Sequence, residues 1–386
     1  MVNDENIMDE GPYSVAHKFQ AKSLTVAREY RALLKKDLAE KLGVSASAVS
    51  QLESGRVKPN ASTLAKIALS LNFPLSFFSR PATEDISSDR CHFRSLRTST
   101  HQERLRMVSA SVLIGRLIES LEQFVEFPEE TLSAIKIQPP SSIDEIESLA
   151  KDVRTHWGLG LGPIPNLVTL LESKGIIVAR LLKNCERVDA FSVYHRGRPL
   201  VFLNSEKGNP FRSRFDVAHE LGHLVMHVDC SPANSVYEDQ ANRFASAFIF
   251  PKESFLQEFP TRLVWEHLQE LKERWGMTLA AILRRAFDFG LISRATYTRG
   301  NIYLRSSKVE YENNPAALEQ PVLIPNALQL LERTGVGLTQ VSSALGLRDS
   351  DVKELVGALD PETSKQPLVS DSSQEKSNLV GVDEDK

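Results

Sequence analysis

The sequence predicts an α+β chain, mainly helical with a small β-sheet. Three features carry that expectation. Apolar residues recur at helical spacing through most of 18–80, 102–127 and 212–294, with Gly and Pro between the runs. Only between 167 and 204 does the pattern shorten to the two-residue period of strands. Charge is segregated as well: residues 18–80 hold eleven Lys/Arg against four Asp/Glu, in a chain of 386 residues with a net charge of −4. One end suits phosphates, and the remainder is acidic.

In chain order, 1–17 reads as a loose leader and 18–80 as a bundle of short helices. "RPATEDISSDR" (80–90) is polar and holds Pro81, the mark of a linker, and it opens a connector, 81–140, with a basic helix at about 102–127. Ser142 with Glu145 three residues later forms a capping box that opens a second domain, 141–255. Within it, "LVTLLESKGIIVARLL" passes from helix to strand at Gly175, and 189–204 reads as two strands around an Arg-Gly-Arg-Pro turn. Residues 256–360 form a helical C-terminal domain, and 361–386, Ser-rich with six acids against three lysines, a disordered tail.

Cys91, Cys185 and Cys230 are far apart and form no C-x-x-C pair, which argues against a disulfide framework or a thiolate metal site. "MVNDENIMDEGPYS" lacks the apolar core of a signal peptide, and no apolar run reaches about 18 residues, the length a membrane span needs. A soluble, cytoplasmic protein is expected, with no membrane partner.

Within the basic segment, Leu38, Ala39 and Leu42 give one helix an apolar face, and Gly43 permits a tight turn. Val44 and Val49 can pack on that face; Ser45 can cap a second helix running to about Glu53, and Gly55 ends it. Such a pair places a short exposed helix across a supporting one, the geometry that enters a major groove. Ala46, Ser47, Ser50 and Gln51 are left on its outer face, where Gln can read adenine. Lys35, Lys36, Arg56 and Lys58 flank it and suit phosphate contacts. The bland alternative is a small bundle with a solvated charged face. Residues 24–78 closely resemble the lambda-repressor-like (Cro/xenobiotic-response-element) helix-turn-helix family, with Leu34-Lys35 where that family often has Thr-Gln. The resemblance implies binding to a double-stranded DNA operator, by a homodimer reading paired half-sites; the basic helix 102–127, outside the resemblance, is expected to be available to the dimer.

"FDVAHELGHLVMH" (215–227) carries the second motif. His219 and His223, four apart, project from one helix face and can place two nitrogens on one metal ion. Glu220 can face the same ion as a general base, and Asp216 is expected in the first helical turn. The rival reading is two histidines on a partly buried helix, which would need partners. His227 lies about 12 Å along a helix from His219 and is expected beside the site or at the helix end. In "YEDQANRFASAFIFP" (237–251), Glu238 shares the inward stripe of Ala241 and Ala245, with Asp239, Asn242 and Arg243 on the other side. Glu238 is the expected third ligand; a carboxylate simply favouring its helix's first turn is the alternative. His₂Glu suits zinc and other divalent ions.

These segments, with "DAFSV", "RPLVFLN" and "KGNPFRSRFD" upstream, closely resemble the ImmA/IrrE family of zinc metallopeptidases over about 150–255. The resemblance implies a zincin-like fold, Zn²⁺ held by His219, His223 and Glu238, and Glu220 as catalytic base. It further implies cleavage of a protein substrate, a helix-turn-helix repressor, in control of stress, phage or mobile-element genes. Gln240 stands where the family often has Glu. The hairpin 190–203 is the candidate edge for an extended substrate, and Tyr194 and His195 are weak candidates for oxyanion stabilisation. "TGVGLTQVSSALGLRDSDVKELVG" (334–357) mimics a helix-turn-helix, but Asp349, Asp351 and Glu354 on its second helix would repel phosphate, so it reads as a packing module. Three function classes remain: a DNA-bound zinc endopeptidase, a transcription factor whose metal domain senses a ligand or metal without turnover, and an antitoxin-type binding module held in a tight partner complex.

Overall fold

The computed structural model describes residues 11–80, 92–93, 100–135, 140, 142–180, 189–204, 208–227, 235–307 and 317–357. Most of the expected linker, the tail and all three cysteines lie outside these residues.

The N-terminal bundle comprises α1 (Pro12–His17), α2 (Ala21–Tyr30), α3 (Lys35–Leu42), α4 (Ala46–Glu53), α5 (Ala61–Leu71) and a 3₁₀ turn, Leu75–Ser79. The leader is therefore partly structured: Val15 of α1 is fully buried. Gly43 adopts φ +68°, Ser45 Oγ accepts the Ala48 N–H at 3.1 Å, and Val49 and Leu52 face inward. Val44 does not pack as expected; the turn leaves it 40 % exposed. The interior holds a pair that no apolar pattern reveals, in which Arg28 donates to Glu53 at 2.5 Å and to the Leu33 carbonyl at 2.7 Å, joining α2 to α4.

A long helix follows, α6 (His101–Leu121), closed at its start by Thr100 and Glu103, which bond each other's backbone N–H. It is buried from Met107 to Ile118 inside the chain's own core, so that stretch is not available to a dimer partner as expected. After α7 (Ile143–His156), capped by Ser142, and α8 (Leu167–Ser173), the chain forms a small sheet. Its strands are β1 (His92–Phe93), β2 (Ile177–Arg180), β3 (Ala190–His195) and β4 (Arg198–Leu203), in the order β1-β3-β4-β2. β3 and β4 form the expected hairpin, turned by Arg196 and Gly197 at φ +50° and +82°. β2 joins β4 in parallel, and β1 pairs antiparallel with β3, His92 opposite Ser192.

Helices complete the chain: α9 (Pro210–Met226), α10 (Ser235–Ile249), α11 (Lys252–Glu258), α12 (Trp265–Trp275), α13 (Leu279–Asp288), α14 (Arg294–Ser307), α15 (Leu323–Arg333), α16 (Leu338–Leu345) and α17 (Asp349–Leu355). Two apolar clusters organise them, one on each face of the sheet. Strand alternation assigns Ile177, Ala179, Phe191, Val193, Leu200 and Phe202 to the cluster containing the N-terminal bundle, α6 and α15–α17. Val178, Ala190, Val201 and Leu203 point to the other, built from α7 to α14. The helices expected as one region, 256–360, thus divide between both clusters.

Candidate metal centre and DNA-reading helix

The buried helix α9 owes its position to the inner face of the sheet and to α10. Gly222, between the two histidines, lets α10 come close: a Cβ there would stand 3.3 Å from the Ala241 Cα and 3.1 Å from the Phe244 ring. α10 then delivers Glu238. One ligand atom from each of His219, His223 and Glu238 falls within 4.8 Å of the others, the group of described residues able to hold a metal ion. His219 and His223 are fully buried, with their Nε2 atoms 3.0 Å apart and Glu238 oxygens at 3.3 and 3.4 Å from them.

The hydrogen-bond chain behind the histidines assigns their tautomers. The Gln240 amide N–H donates to the Pro140 carbonyl at 3.0 Å, so its Oε1 faces His227 Nε2 at 2.9 Å and must accept. His227 Nδ1 is then an acceptor for the His223 Nδ1–H at 3.0 Å, which leaves the His223 Nε2 lone pair directed at the cluster. His219 reaches the same state by donating Nδ1–H to Asn242 Oδ1 at 3.1 Å. Two lone pairs and a carboxylate then converge with no proton to share among them, an arrangement that a cation satisfies.

Glu220 is also fully buried, and its Oε2 accepts the Ser192 hydroxyl at 2.7 Å. Ser192 occupies an inward position of β3, so strand parity fixes the contact. Sequence reasoning missed Ser192, Asn242 and the role of Gln240. Asn242 was expected opposite Glu238, yet residues four apart share a helix face, and that spacing was the available signal. Asp216 is not in the first turn of α9, because Pro210 starts the helix earlier; it is buried at 1 % exposure. His227 ends the helix beside the site.

Neither oxyanion candidate reaches the metal ligands through its hydrogen bond. His195 is buried on the face toward α6 and bonded through Nε2 to Glu119 of that helix at 2.6 Å; the Tyr194 hydroxyl donates to the Leu224 carbonyl at 3.2 Å. The hairpin edge expected to meet substrate is met by β1 at Phe191 and Ser192.

On the N-terminal bundle, Ala46, Ser47 and Gln51 are exposed along α4, and Ser50 is half-buried. Lys35, Lys36, Arg56 and Lys58 surround them, all four exposed. Two of these cations already have partners: Lys35 lies 3.5 Å from Glu53, and Lys58 donates to the His17 carbonyl at 2.9 Å. Leu34 offers no side-chain cap to α3; the Asp37 carboxylate accepts the Leu34 N–H at 2.8 Å instead.

Among the described residues no helix is long and apolar enough to cross a membrane. No curated protein matches the chain. Family models match in two places: the helix-turn-helix over residues 27–78, and the IrrE N-terminal-like domain, a peptidase family, over 171–287. The chain is thus a fusion of a Cro/XRE-type, DNA-binding helix-turn-helix to an IrrE N-terminal-like domain.

Proposed function

We propose that this protein is a transcriptional regulator that binds an operator as a homodimer and carries a zinc-dependent endopeptidase acting on a protein, a helix-turn-helix repressor in cis or in trans. The observation that carries the reading is the convergence of His219, His223 and Glu238 beside a buried Glu220. Three protein ligands with a further position open is the donor set of catalytic zinc, as opposed to closed four-ligand structural sites. Zinc bound there supplies Lewis acidity toward water and the peptide carbonyl. The chain's residues do the rest. Asn242 and His227 hold the two imidazoles in their ligand tautomers. Ser192 orients the Glu220 carboxylate, which takes a proton from the attacking water and returns it to the departing amine. Ala46, Ser47, Ser50 and Gln51 address bases, while Lys35, Lys36, Arg56 and Lys58 address phosphates.

Metal analysis of protein purified without added metal tests the centre. Wild type is expected to hold about one zinc per chain and His223→Ala far less, whereas Glu220→Gln keeps the metal. Mapping of new protein N-termini in cells expressing wild type or Glu220→Gln tests the reaction, with cleavage products expected only in wild type. Absence of metal after reconstitution would overturn the whole reading. Metal without any Glu220-dependent cleavage would leave a metal-sensing regulator.

A further inference from the structure

The C-terminal helices and the end of β2 enclose a space lined mostly by residues beyond both family matches. Helices α15, α16 and α17 surround a cavity of about 790 Å³, within the range of small-molecule sites. Its walls combine apolar side chains, Pro321, Pro325, Leu328, Val341, Val352 and Val356 among them, with polar ones. Among the described residues one buried charge lines it: Arg180, only 3 % exposed.

Among the described residues the Arg180 guanidinium hydrogen-bonds to neutral oxygens only. Nη1 donates to the Asn204 carbonyl at 3.0 Å and to Ser213 Oγ at 3.1 Å, and Nη2 donates to the Glu319 carbonyl. Its buried Nε has no hydrogen-bond partner among them. The carboxylate of Glu319 is engaged elsewhere, accepting from Arg214 and from the backbone N–H groups of Leu167 and Val168. Burial lowers the Arg180 pKa to about 10, opposed only in part by Glu319 and Asp216. Of the other charges around the cavity, Glu332 and Lys353 are exposed at its rim. Asp349 is taken up by the hydroxyls of Thr339 and Ser342. With Glu319 and Asp216 offsetting its burial only in part and Nε open, this guanidinium still favours a further anion beside it.

We infer that this cavity binds a small organic anion, an apolar body bearing one carboxylate, sulfonate or phosphate group, with its charge paired to Arg180. The site stands at a junction. α17 lines the cavity through Val352 and Lys353, and on the same helix Asp351 and Glu354 bond Arg31 and Tyr30 of the DNA-binding bundle. Arg180 itself is bonded to Ser213 of the metal-bearing helix. An occupant would touch both, the placement that an effector requires. The inference is independent of whether the metal domain hydrolyses peptides.

The test uses the full chain and the fluorophore 8-anilinonaphthalene-1-sulfonate, an apolar body with one anionic group, with uncharged N-phenyl-1-naphthylamine as its control. One saturable site for the sulfonate is expected, with at least about tenfold weaker binding in Arg180→Met and little change for the amine, since a charge-assisted hydrogen bond contributes on that scale. Leu328→Trp intrudes on the cavity without replacing any hydrogen-bond partner of Arg180 and is expected to weaken sulfonate binding about tenfold. Competition on wild type needs no variant: 1-naphthoate, 1-naphthyl phosphate and naphthalene-1-sulfonate should displace the probe in an order that identifies the preferred head group, and 1-naphthalenemethanol should not. Sulfonate binding unchanged in both Arg180→Met and Leu328→Trp, or equal displacement by the alcohol, would overturn the proposal.

Discussion

The chain builds the same local structure twice and uses it in opposite ways. In α3–α4 and in α16–α17, an eight-residue helix ends at a left-handed glycine, Gly43 at φ +68° or Gly346 at φ +65°, and a second short helix follows. The first pair exposes Ser47, Gln51, Arg56 and Lys58. The second places acids at comparable positions and ties them to neighbouring elements: Asp351, buried, accepts from Arg31 at 2.7 Å, and Glu354, exposed, from Tyr30 at 3.1 Å and Arg106 at 3.4 Å. Backbone recipe therefore does not decide function here. What decides it is which side chains remain in water and which are consumed by the neighbouring domain.

The largest test of this difference is to break the docking of the second pair. Arg31 also donates to the Leu71 and Asn72 carbonyls, so Asp351→Ala leaves a partly buried cation without its carboxylate. A loss of about 3–4 kcal/mol in unfolding free energy is expected by denaturant titration. A loss below about 1 kcal/mol would mean that the contact is only a surface pair.

A second test concerns Glu172, which anchors the same C-terminal unit by accepting the Val322 and Leu323 N–H groups at the start of α15. Burial raises its pKa from 4.5 to about 7. The native state then holds the proton more tightly than the unfolded chain, so this stabilisation is complete below about pH 4.5 and is lost as pH rises through about 7. Denaturation midpoints should fall over that window by the equivalent of about 3 kcal/mol at most, and Glu172→Gln should flatten the slope. An unchanged slope in the variant would assign the effect to other groups.

The glycines sharpen the comparison further. A Cβ added at Gly43 would meet no described atom within 4 Å, whereas at Gly346 it would meet the Phe77 backbone at 2.9 Å. Gly43→Ala should cost about 1 kcal/mol through its positive φ alone, and Gly346→Ala about 2 kcal/mol or more, read from thermal unfolding. The DNA contact itself is of similar size to the Gly43 effect. Gln51→Ala should weaken operator binding about tenfold at fixed salt, while Lys353→Ala on the other pair should leave it unchanged. Equal losses for the two would erase the functional distinction between the hairpins.

The two hairpins also show how far a sequence can be read. Local features were legible because local rules make them: Ser45 and Ser142 as caps, Gly43 as turn, the Arg-Gly hairpin turn, and the histidine pair at one-turn spacing. Glu238 was placed by its stripe, and it does lie beside both histidines. Long-range pairings were not legible. Nothing in the spacing of Arg28 and Glu53, or of Arg31 and Asp351, announces that they meet. Likewise nothing local announces that His195 is buried, because its partner, Glu119, lies 76 positions away. Val44 was misplaced for the converse reason: an apolar residue beside a turn packs only if the turn directs it inward.

The sheet carries one further implication. It is a party wall, a single layer thick, whose alternate side chains furnish two different rooms. Phe191 stacks on Phe202 at 4.6 Å on the side of the DNA-binding bundle, and its neighbour Ser192 holds Glu220 on the side of the metal helix. A slide of β3 by one residue would exchange these two, removing an aromatic pair from one room and a hydroxyl from the other. Damage to that strand cannot be private to either half of the protein.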